Sequence, residues 1–290
     1  MNYNQDNGVY IGNYYIPFDF YSRISSHLVK SYVNFSFGQA LLLGIQGRPG
    51  DGKSFQSKLV AESMGFTITH VAASQFSGKH EGDAHTKLEE IYKDLSVKLA
   101  MGQRSVIIID DFDLSISGLS NGVDGTVNSQ LFSNYLMHIC DSRPSKHGRV
   151  PIIVTGNDFS RLYGPLTRNG RMEMFEWAPT KQEKFAIWAN SIKGYNIPID
   201  VIRDIIEKYH ENPLSFFFSI SSKYIDKIID EYIRDSIKEY GTTSLFSTSS
   251  QNVSGVIDGK LKSARSDIFL VCAEEVNSVK MKSYLGDKNA

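Results

Sequence analysis

Gly47-Arg48-Pro49-Gly50-Asp51-Gly52-Lys53-Ser54 is the stretch whose residue types and spacing most directly imply chemistry. It fits G-x-x-x-x-G-K-[ST], a loop that wraps phosphate. Its glycines let backbone N–H groups turn toward phosphate oxygens, because no Cβ forbids the dihedrals this requires. Lys53 can set a positive charge on β- and γ-phosphates, and the Ser54 hydroxyl can ligate Mg²⁺. The flanks agree. Leu41 to Ile45 is a short apolar run that reads as a buried strand. Ser54 to Met64 reads as a helix closed by Gly65. A phosphate would then sit at the positive N-terminus of that helix. The plain alternative is a glycine-rich turn before a helix.

Three more clusters could act on the same ligand. Ser105 to Ile109 is an apolar strand ending in Asp110 and Asp111. Beside a phosphate loop, one such aspartate can hold Mg²⁺ and the next acidic residue can orient the attacking water. Asp110 is assigned to the metal and Asp111 to the water, with the reverse order open, and Asp113 stands close behind them. Val150 to Val154 is another apolar strand, and Asn157 just beyond it could hydrogen-bond the γ-phosphate or the water. Arg168 and Arg171, three apart, carry permanent planar charge suited to a phosphoryl group in transfer. Each cluster also has a plain reading: a solvated strand end, a turn, two surface arginines.

Stepwise along the chain, the elements that must hold these residues alternate. Helical spacing runs from Phe18 to Val33, and strands are expected at 41–46, 67–73, 105–110, 150–154 and 172–177. Helices are expected at 86–100 and 126–140, with a Gly/Ser/Asn-rich loop at 115–125. Strands alternating with helices predict a parallel sheet covered on both faces. After Ala178-Pro179 only helical periodicity remains, over 181–192, 199–209, 214–240 and 266–285. The expected division is a flexible arm at 1–15, an α/β nucleotide-binding domain at 16–178, and a helical domain at 179–290 with a loop or insert near 241–262.

The chain has 290 residues and a formal net charge of −1, with 41% hydrophobic and 22% charged residues. That is an ordinary globular composition with room for a large domain plus a smaller one. Near-neutrality gives no support for nucleic acid or an anionic membrane as the main partner. Cys140 and Cys272 form no C-x-x-C, which argues for a reducing compartment and against a zinc site. No apolar run reaches membrane-spanning length, and the N-terminus lacks signal- or transit-peptide character. The expected location is cytoplasmic.

Taken together and in this order, these stretches resemble the AAA+ ATPases, and within them the Rubisco activase family. The likeness is carried by GRPGDGKSFQSKLV, IIDDFD, TVNSQLFSNYLMHICD and above all RVPIIVTGNDFSRLYGPLTRNGRMEMFEWAPT. It extends upstream to GNYYIPFDF, similar to the family's adenine-side segment, and downstream to about Tyr240. The resemblance implies a five-stranded parallel P-loop AAA+ domain followed by an all-helical lid. It makes Lys53 and Ser54 the Walker A pair, Asp110 and Asp111 the Walker B carboxylates, and Asn157 sensor 1. Arg168 and Arg171 match the paired arginines that reach a neighbouring subunit's ATP. The nucleotide contacts are then Gly47, Pro49, Gly50, Asp51, Gly52, Lys53, Ser54 and Phe55, with Lys223 from the lid.

The chain also departs from the family. The family pattern has Asn-Asp where Asp110-Asp111 stands. Its lid helix carries two arginines after a Phe-Phe pair, whereas Phe216-Phe217 is followed by Ser221 and Lys223 at those positions. Lys223 keeps a charge without the bidentate fork. Lys79, His80 and Glu81 align with the first central-pore loop, where activases, like this chain, lack the aromatic of general unfoldases. The loop 115–125 sits at the second pore loop. The expected form is the cyanobacterial type, without a small-subunit-like extension or the C-terminal cysteine pair of light-regulated plant forms.

The implied function is an ATP- and Mg²⁺-dependent remodelling chaperone, a homo-oligomer built as a hexameric ring, that frees inhibited Rubisco of sugar phosphate. A phosphate-loop kinase, with both arginines acting within one chain, is a rival enzyme. An AAA+ ATPase or nucleotide-gated scaffold with another protein client is the alternative kept beside it. A DNA-loading role is disfavoured by the lack of a basic face.

Overall fold

A computed structural model of the protein describes residues 8–33, 39–72, 83–113, 127–143, 145–240, 250–263 and 265–286. The chain divides into two compact units, one holding Ile16–Ala178 and the other Pro179–Ala290. Among the described residues no helix is long and apolar enough to cross a membrane.

β1 (Gly8–Ile11) and β2 (Tyr14–Pro17) form a two-stranded sheet. Of the flexible arm expected at 1–15, residues 8–15 are thus ordered, and 1–7 lie outside the described residues. Gly12, at φ +59°, opens the two-residue Gly12-Asn13 connection between apolar strands, a hairpin signal that the Asn/Tyr-rich composition masked.

The α/β unit runs through α1 (Phe18–Tyr32), β3 (Leu42–Gln46), α2 (Lys53–Ser63), β4 (Thr67–Ala72), α3 (Asp83–Ala100), β5 (Ser105–Asp110), α4 (Val127–Asp141), β6 (Ile152–Gly156) and β7 (Met172–Glu176). The last five strands named form one parallel sheet in the order β4-β5-β6-β3-β7. β6 starts two residues later than its apolar run suggested. Pro151 has no N–H for the ladder, and the strand instead runs on through Thr155 and Gly156, which pair with Ile45 and Gln46.

Period-two alternation assigns the faces. Leu42, Ile107, Ile109, Ile152, Val154 and Met172 pack with Leu88, Leu95 and Leu99 of α3 and with Phe132, Leu136 and Ile139 of α4. On the other face, the Phe20 ring of α1 lies 5.8 Å from Phe175 and 4.8 Å from Trp177. Each such fully buried aliphatic or aromatic side chain contributes about 1.5–3 kcal/mol. The strand order sets the site. β3 neighbours β6 and β7, while the chain leaves β3 for β4 at the far edge. A crevice therefore opens at the carboxyl ends of β3, β5 and β6, where ligands bind in parallel α/β sheets.

The helical unit contains α5 (Lys181–Ser191), α6 (Ile199–Tyr209), α7 (Leu214–Tyr240), α8 (Ser250–Leu261) and α9 (Ser266–Gly286). A reciprocal capping box starts α5: Glu183 N–H donates to Thr180 Oγ1 at 3.2 Å, and Thr180 N–H donates to Glu183 Oε2 at 2.7 Å. Trp188, Ile202, Ile206, Phe217, Tyr224 and Phe269 centre the core. α8 corrects the expected loop or insert near 241–262, of which 241–249 lie outside the described residues. Ser, Asn and two glycines hid the helix, but Val253, Ile257 and Leu261 recur every four residues, and Ile257 and Leu261 pack into the core.

Candidate functional site

The phosphate loop is shaped by backbone and clamped from two sides. At Gly47 a Cβ would meet the Trp177 carbonyl oxygen at 2.1 Å, so no side chain fits there. Gly52, at φ +77°, leads directly into α2 without a side-chain cap. The first intrahelical bond, from Gln56 N–H to Gly52 O at 2.9 Å, leaves the N–H groups of the first turn to serve a ligand. Trp177 holds the loop from β7's end. Its indole Nε1 donates to Asp51 O at 2.8 Å and its backbone N–H to Gln46 O at 2.7 Å.

Lys53 is buried. Its Nζ donates to the carbonyls of Gly47 at 2.7 Å and Arg48 at 3.0 Å, and lies 3.4 Å from Asn157 Oδ1. Burial draws its pKa below the ordinary lysine value, against the pull of Asp51, Asp113 and Asp111. A doubly charged phosphate in the loop would restore the balance toward the ammonium.

The two adjacent aspartates lie in different environments. Asp110 is tied at both oxygens: Thr155 Oγ1 donates to Oδ1 at 2.8 Å, His70 Nε2 contacts Oδ2, and Lys58 Nζ is 3.5 Å from Oδ2. Ser54 Oγ is 3.0 Å from Thr155 Oγ1. Burial would raise the Asp110 pKa, but hydrogen bonds from Ser54, His70 and Thr155 and the Lys58 charge outweigh it and hold the carboxyl below the usual aspartate range. Asp111 is exposed and takes φ +55°, left-handed backbone that few non-glycine residues adopt. That turn directs it into a cavity of about 210 Å³, shared with Lys53, Ser54, Thr155 and Asn157.

Pro49, Gly50, Gly52 and Phe55 from the sequence-derived set also line this cavity, while Gly47, Asp51 and Asp110 do not. Asp113 fixes the Asn157 turn: its Oδ2 accepts the backbone N–H groups of Asn157 at 2.9 Å and Asp158 at 3.2 Å. Gly156 has no room for a Cβ, which would come within 2.3 Å of the Phe159 ring. The Ser54 hydroxyl and the Asp110 carboxylate are hard oxygen donors and fit Mg²⁺, which takes few protein ligands beside phosphate. No cluster of three or more His, Cys, Asp or Glu able to hold a metal occurs among the described residues.

The two arginines, alike in sequence, are held differently. Arg171 forks onto Asp141, with Nε to Oδ1 at 2.9 Å and Nη2 to Oδ2 at 2.6 Å, and its Nη1 donates to Pro165 O at 2.6 Å. The hydrogen-bonded pairing raises the arginine pKa and lowers that of Asp141. Arg168 is exposed, and its guanidinium makes no hydrogen bond or ion pair with any described residue. Neither arginine lines the cavity.

In the helical unit, Lys223 is exposed on α7. Its charge reaches Glu275 and Cys272 of α9. Ser221 is buried and accepts the Trp188 indole N–H at 2.8 Å. Lys79, His80 and Glu81, like the 115–125 loop, lie outside the described residues.

Residues 43–180 match the AAA family, described as ATPase family associated with various cellular activities. This segment belongs to the AAA ATPases. Over longer spans the chain is similar to proteins named ribulose bisphosphate carboxylase/oxygenase activase. That of an Anabaena species is 33% identical over 241 residues, covering 79% of this chain and 57% of the relative. That of Phaseolus vulgaris, named chloroplastic, is 31% identical over 242 residues, covering 80% and 54%. Activase 2 of Larrea tridentata, also named chloroplastic, is 29% identical over 254 residues, covering 84% and 57%. The chain thus spans just over half the length of these curated relatives.

The motifs do not reveal four residues that brace the candidate site. Thr155 joins Ser54 to Asp110, Lys58 and His70 hold Asp110, and Trp177 clamps the loop. Two left a readable signal: Lys58 lies one helical turn beyond Ser54, and Thr155 ends an apolar strand on the same side as the site. His70 and Trp177 come from strands whose place beside β5 and β3 no local pattern reveals.

Proposed function

We propose that the protein binds and hydrolyses ATP with Mg²⁺ and uses the cycle to remodel Rubisco, releasing inhibitory sugar phosphates. The ATPase reading rests on one observation: Lys53, Ser54, Asp111 and Asn157 share a single cavity, with Asp110 bonded to its rim. The client rests on the relatives' names and on the long RVPIIVTGNDFSRLYGPLTRNGRMEMFEWAPT match.

In this reading the free N–H groups at the head of α2 cradle the phosphates, and Lys53 exchanges its loop carbonyls for the β- and γ-oxygens. Ser54 and Asp110 would hold Mg²⁺, which neutralises charge on those oxygens. Asp111 accepts a proton from the attacking water as its oxygen bonds the γ-phosphorus and the bond to the β-phosphate bridging oxygen breaks. Asn157 fixes the water or the γ-phosphate. Arg168 serves the ATP of a neighbouring copy in a homo-oligomeric ring, and Arg171, through Asp141, holds the turn that presents it. Lys223 contacts nucleotide from the lid, and Lys79, His80 and Glu81 are the residues read as engaging the client. Two buried, unpaired cysteines suit a reducing compartment, which supports a cytoplasmic location.

A second reading, a nucleotide-gated scaffold with another protein client, draws support from Ser221. Its side chain serves the core where the resemblance has an arginine.

The test is ATP-dependent reactivation of sugar-phosphate-inhibited Rubisco from the same source, run beside ATP turnover. Lys53→Ala is expected to lower turnover by about 100-fold or more, a loss of the size seen when a group facing transition-state charge is removed. Mixing Lys53→Ala with Arg168→Ala subunits is expected to restore part of the turnover. Turnover unaffected by Lys53→Ala would refute the site. Normal turnover without reactivation would leave the scaffold's different client, and absence of complementation would place Arg168 within its own chain.

A further inference from the structure

We infer that His70 is a positioning residue for the Asp110 carboxylate, setting its orientation toward the metal side of the nucleotide site. The inference rests on the Mg²⁺·ATP reading above.

β4 is an edge strand, paired with β5 in the register His70↔Ile108 and Ala72↔Asp110. Residues two apart on a strand share a face, so His70 and Asp110 stand diagonally on one face of the sheet. Their side chains meet at His70 Nε2 and Asp110 Oδ2. An ionised carboxylate only accepts, so Nε2 carries the proton in this contact. Lys58 comes to the same oxygen from α2, at 3.5 Å, while Thr155 of β6 takes the other oxygen at 2.8 Å.

The division of labour follows from the two oxygens. Thr155 also touches Ser54, so Oδ1 belongs to the rim of the cavity. Oδ2 faces the opposite side, where His70 is the closest donor. With Oδ1 held alone, the carboxylate could turn about its Cβ–Cγ bond, a soft torsion. A second donor on Oδ2 removes that freedom. The Asp110 side chain is only 16% exposed, so its orientation cannot be averaged by water, whereas the His70 side chain is 42% exposed and makes no part of the core. Removing the imidazole therefore loosens the carboxylate without opening a cavity in the fold. Lys58 alone is a weaker substitute, being farther away and on a flexible stem.

The test measures fluorescent-ATP binding during Mg²⁺ titration and again in EDTA, with the thermal midpoint of each nucleotide-free variant. Donors behind a metal-binding carboxylate commonly govern affinity by one to two orders of magnitude. His70→Leu is expected to raise the Mg²⁺ concentration needed for half-maximal binding by about tenfold. Binding in EDTA should stay at the wild-type value, and the thermal midpoint should fall only by the small amount that losing one hydrogen bond to a carboxylate costs. His70→Gln, whose side chain ends in an N–H donor, should restore the wild-type Mg²⁺ dependence, and Lys58→Met should shift it in the same direction by less. If His70→Leu leaves the Mg²⁺ dependence unchanged while wild-type binding does require Mg²⁺, the positioning role is overturned and the ATPase reading stands. Equal damage by Gln and Leu, or a loss of binding in EDTA as large as that in Mg²⁺, also overturns it in favour of packing. Wild-type nucleotide binding that ignores Mg²⁺ removes the metal reading and this inference together.

Discussion

Each unit of the molecule buries a tryptophan whose indole N–H finds a partner, and the partners differ in kind. In the α/β unit, Trp177 is 3% exposed and donates to the carbonyl of Asp51, inside the phosphate loop. In the helical unit, Trp188 is 0% exposed and donates to the hydroxyl of Ser221, inside the core. The first bond carries the rigidity of a packed sheet edge, through Phe20 and Phe175, into backbone that would meet phosphate. The second closes on itself and occupies a position where the resemblance has an arginine. The difference teaches that the tryptophan of the α/β unit braces the candidate phosphate loop, whereas that of the helical unit braces its own core.

The strongest way to break this comparison is Ser221→Arg. A guanidinium at a buried position facing an indole loses its hydration without gaining a carboxylate, so the helical unit is expected to lose about 3 kcal/mol or more. Urea unfolding followed by Trp188 fluorescence measures it. A stable variant with tighter ATP binding would show that the position still belongs to the nucleotide and that the comparison is wrong.

A sharper and smaller contrast comes from replacing each indole by phenylalanine. Trp177→Phe keeps an aromatic beside Phe20 but frees the Asp51 carbonyl, and its KM for ATP is expected to rise about fivefold, equivalent to about 1 kcal/mol of lost loop order. Trp188→Phe is expected to cost about 1–3 kcal/mol of helical-unit stability through the lost volume and the lost indole bond to the Ser221 hydroxyl, with KM unchanged. Equal KM shifts in the two variants would erase the distinction.

The units should also differ in acid. His27, on α1, is 2% exposed, and burial is the main cause that pushes its pKa down to about 4 from an ordinary value near 6.5. The unfolded chain therefore binds a proton that the folded one refuses. The contribution is fully present above pH ~6.5 and is lost as pH falls toward 4, about 2 kcal/mol between pH 7 and pH 5. The helical unit's histidine, His210, is exposed. Hydrogen exchange at pH 7 and pH 5 should show protection falling first in the α/β unit. His27→Gln should flatten that loss, and an equal fall in both units with the variant would exclude His27 as its source.

Some of this was legible in sequence because the relevant chemistry is contiguous. The phosphate loop works through backbone N–H groups of neighbouring residues, so its glycines, Lys53 and Ser54 announce it in eight positions. The strand ends at Asp110 and Asn157 were readable for a similar reason, since an apolar run stopping at a polar residue is itself local. The helices of the second unit declared their period, except α8, whose core contacts through Ile257 and Leu261 are too sparse to stand out among serines and glycines.

Only tertiary structure decided the rest, because it depends on which strands become neighbours. The order β4-β5-β6-β3-β7 brings His70, Thr155 and Ser54 to one carboxylate from positions scattered over a hundred residues of chain. It also separates residues that the sequence presents as pairs. Asp110 and Asp111 differ because one lies in the ladder and the other turns left-handed beyond it. Arg168 and Arg171 differ because α4 ends with Asp141 beside the second and not the first. A charge's type can be read from its code letter, but its freedom is set by what the fold packs against it.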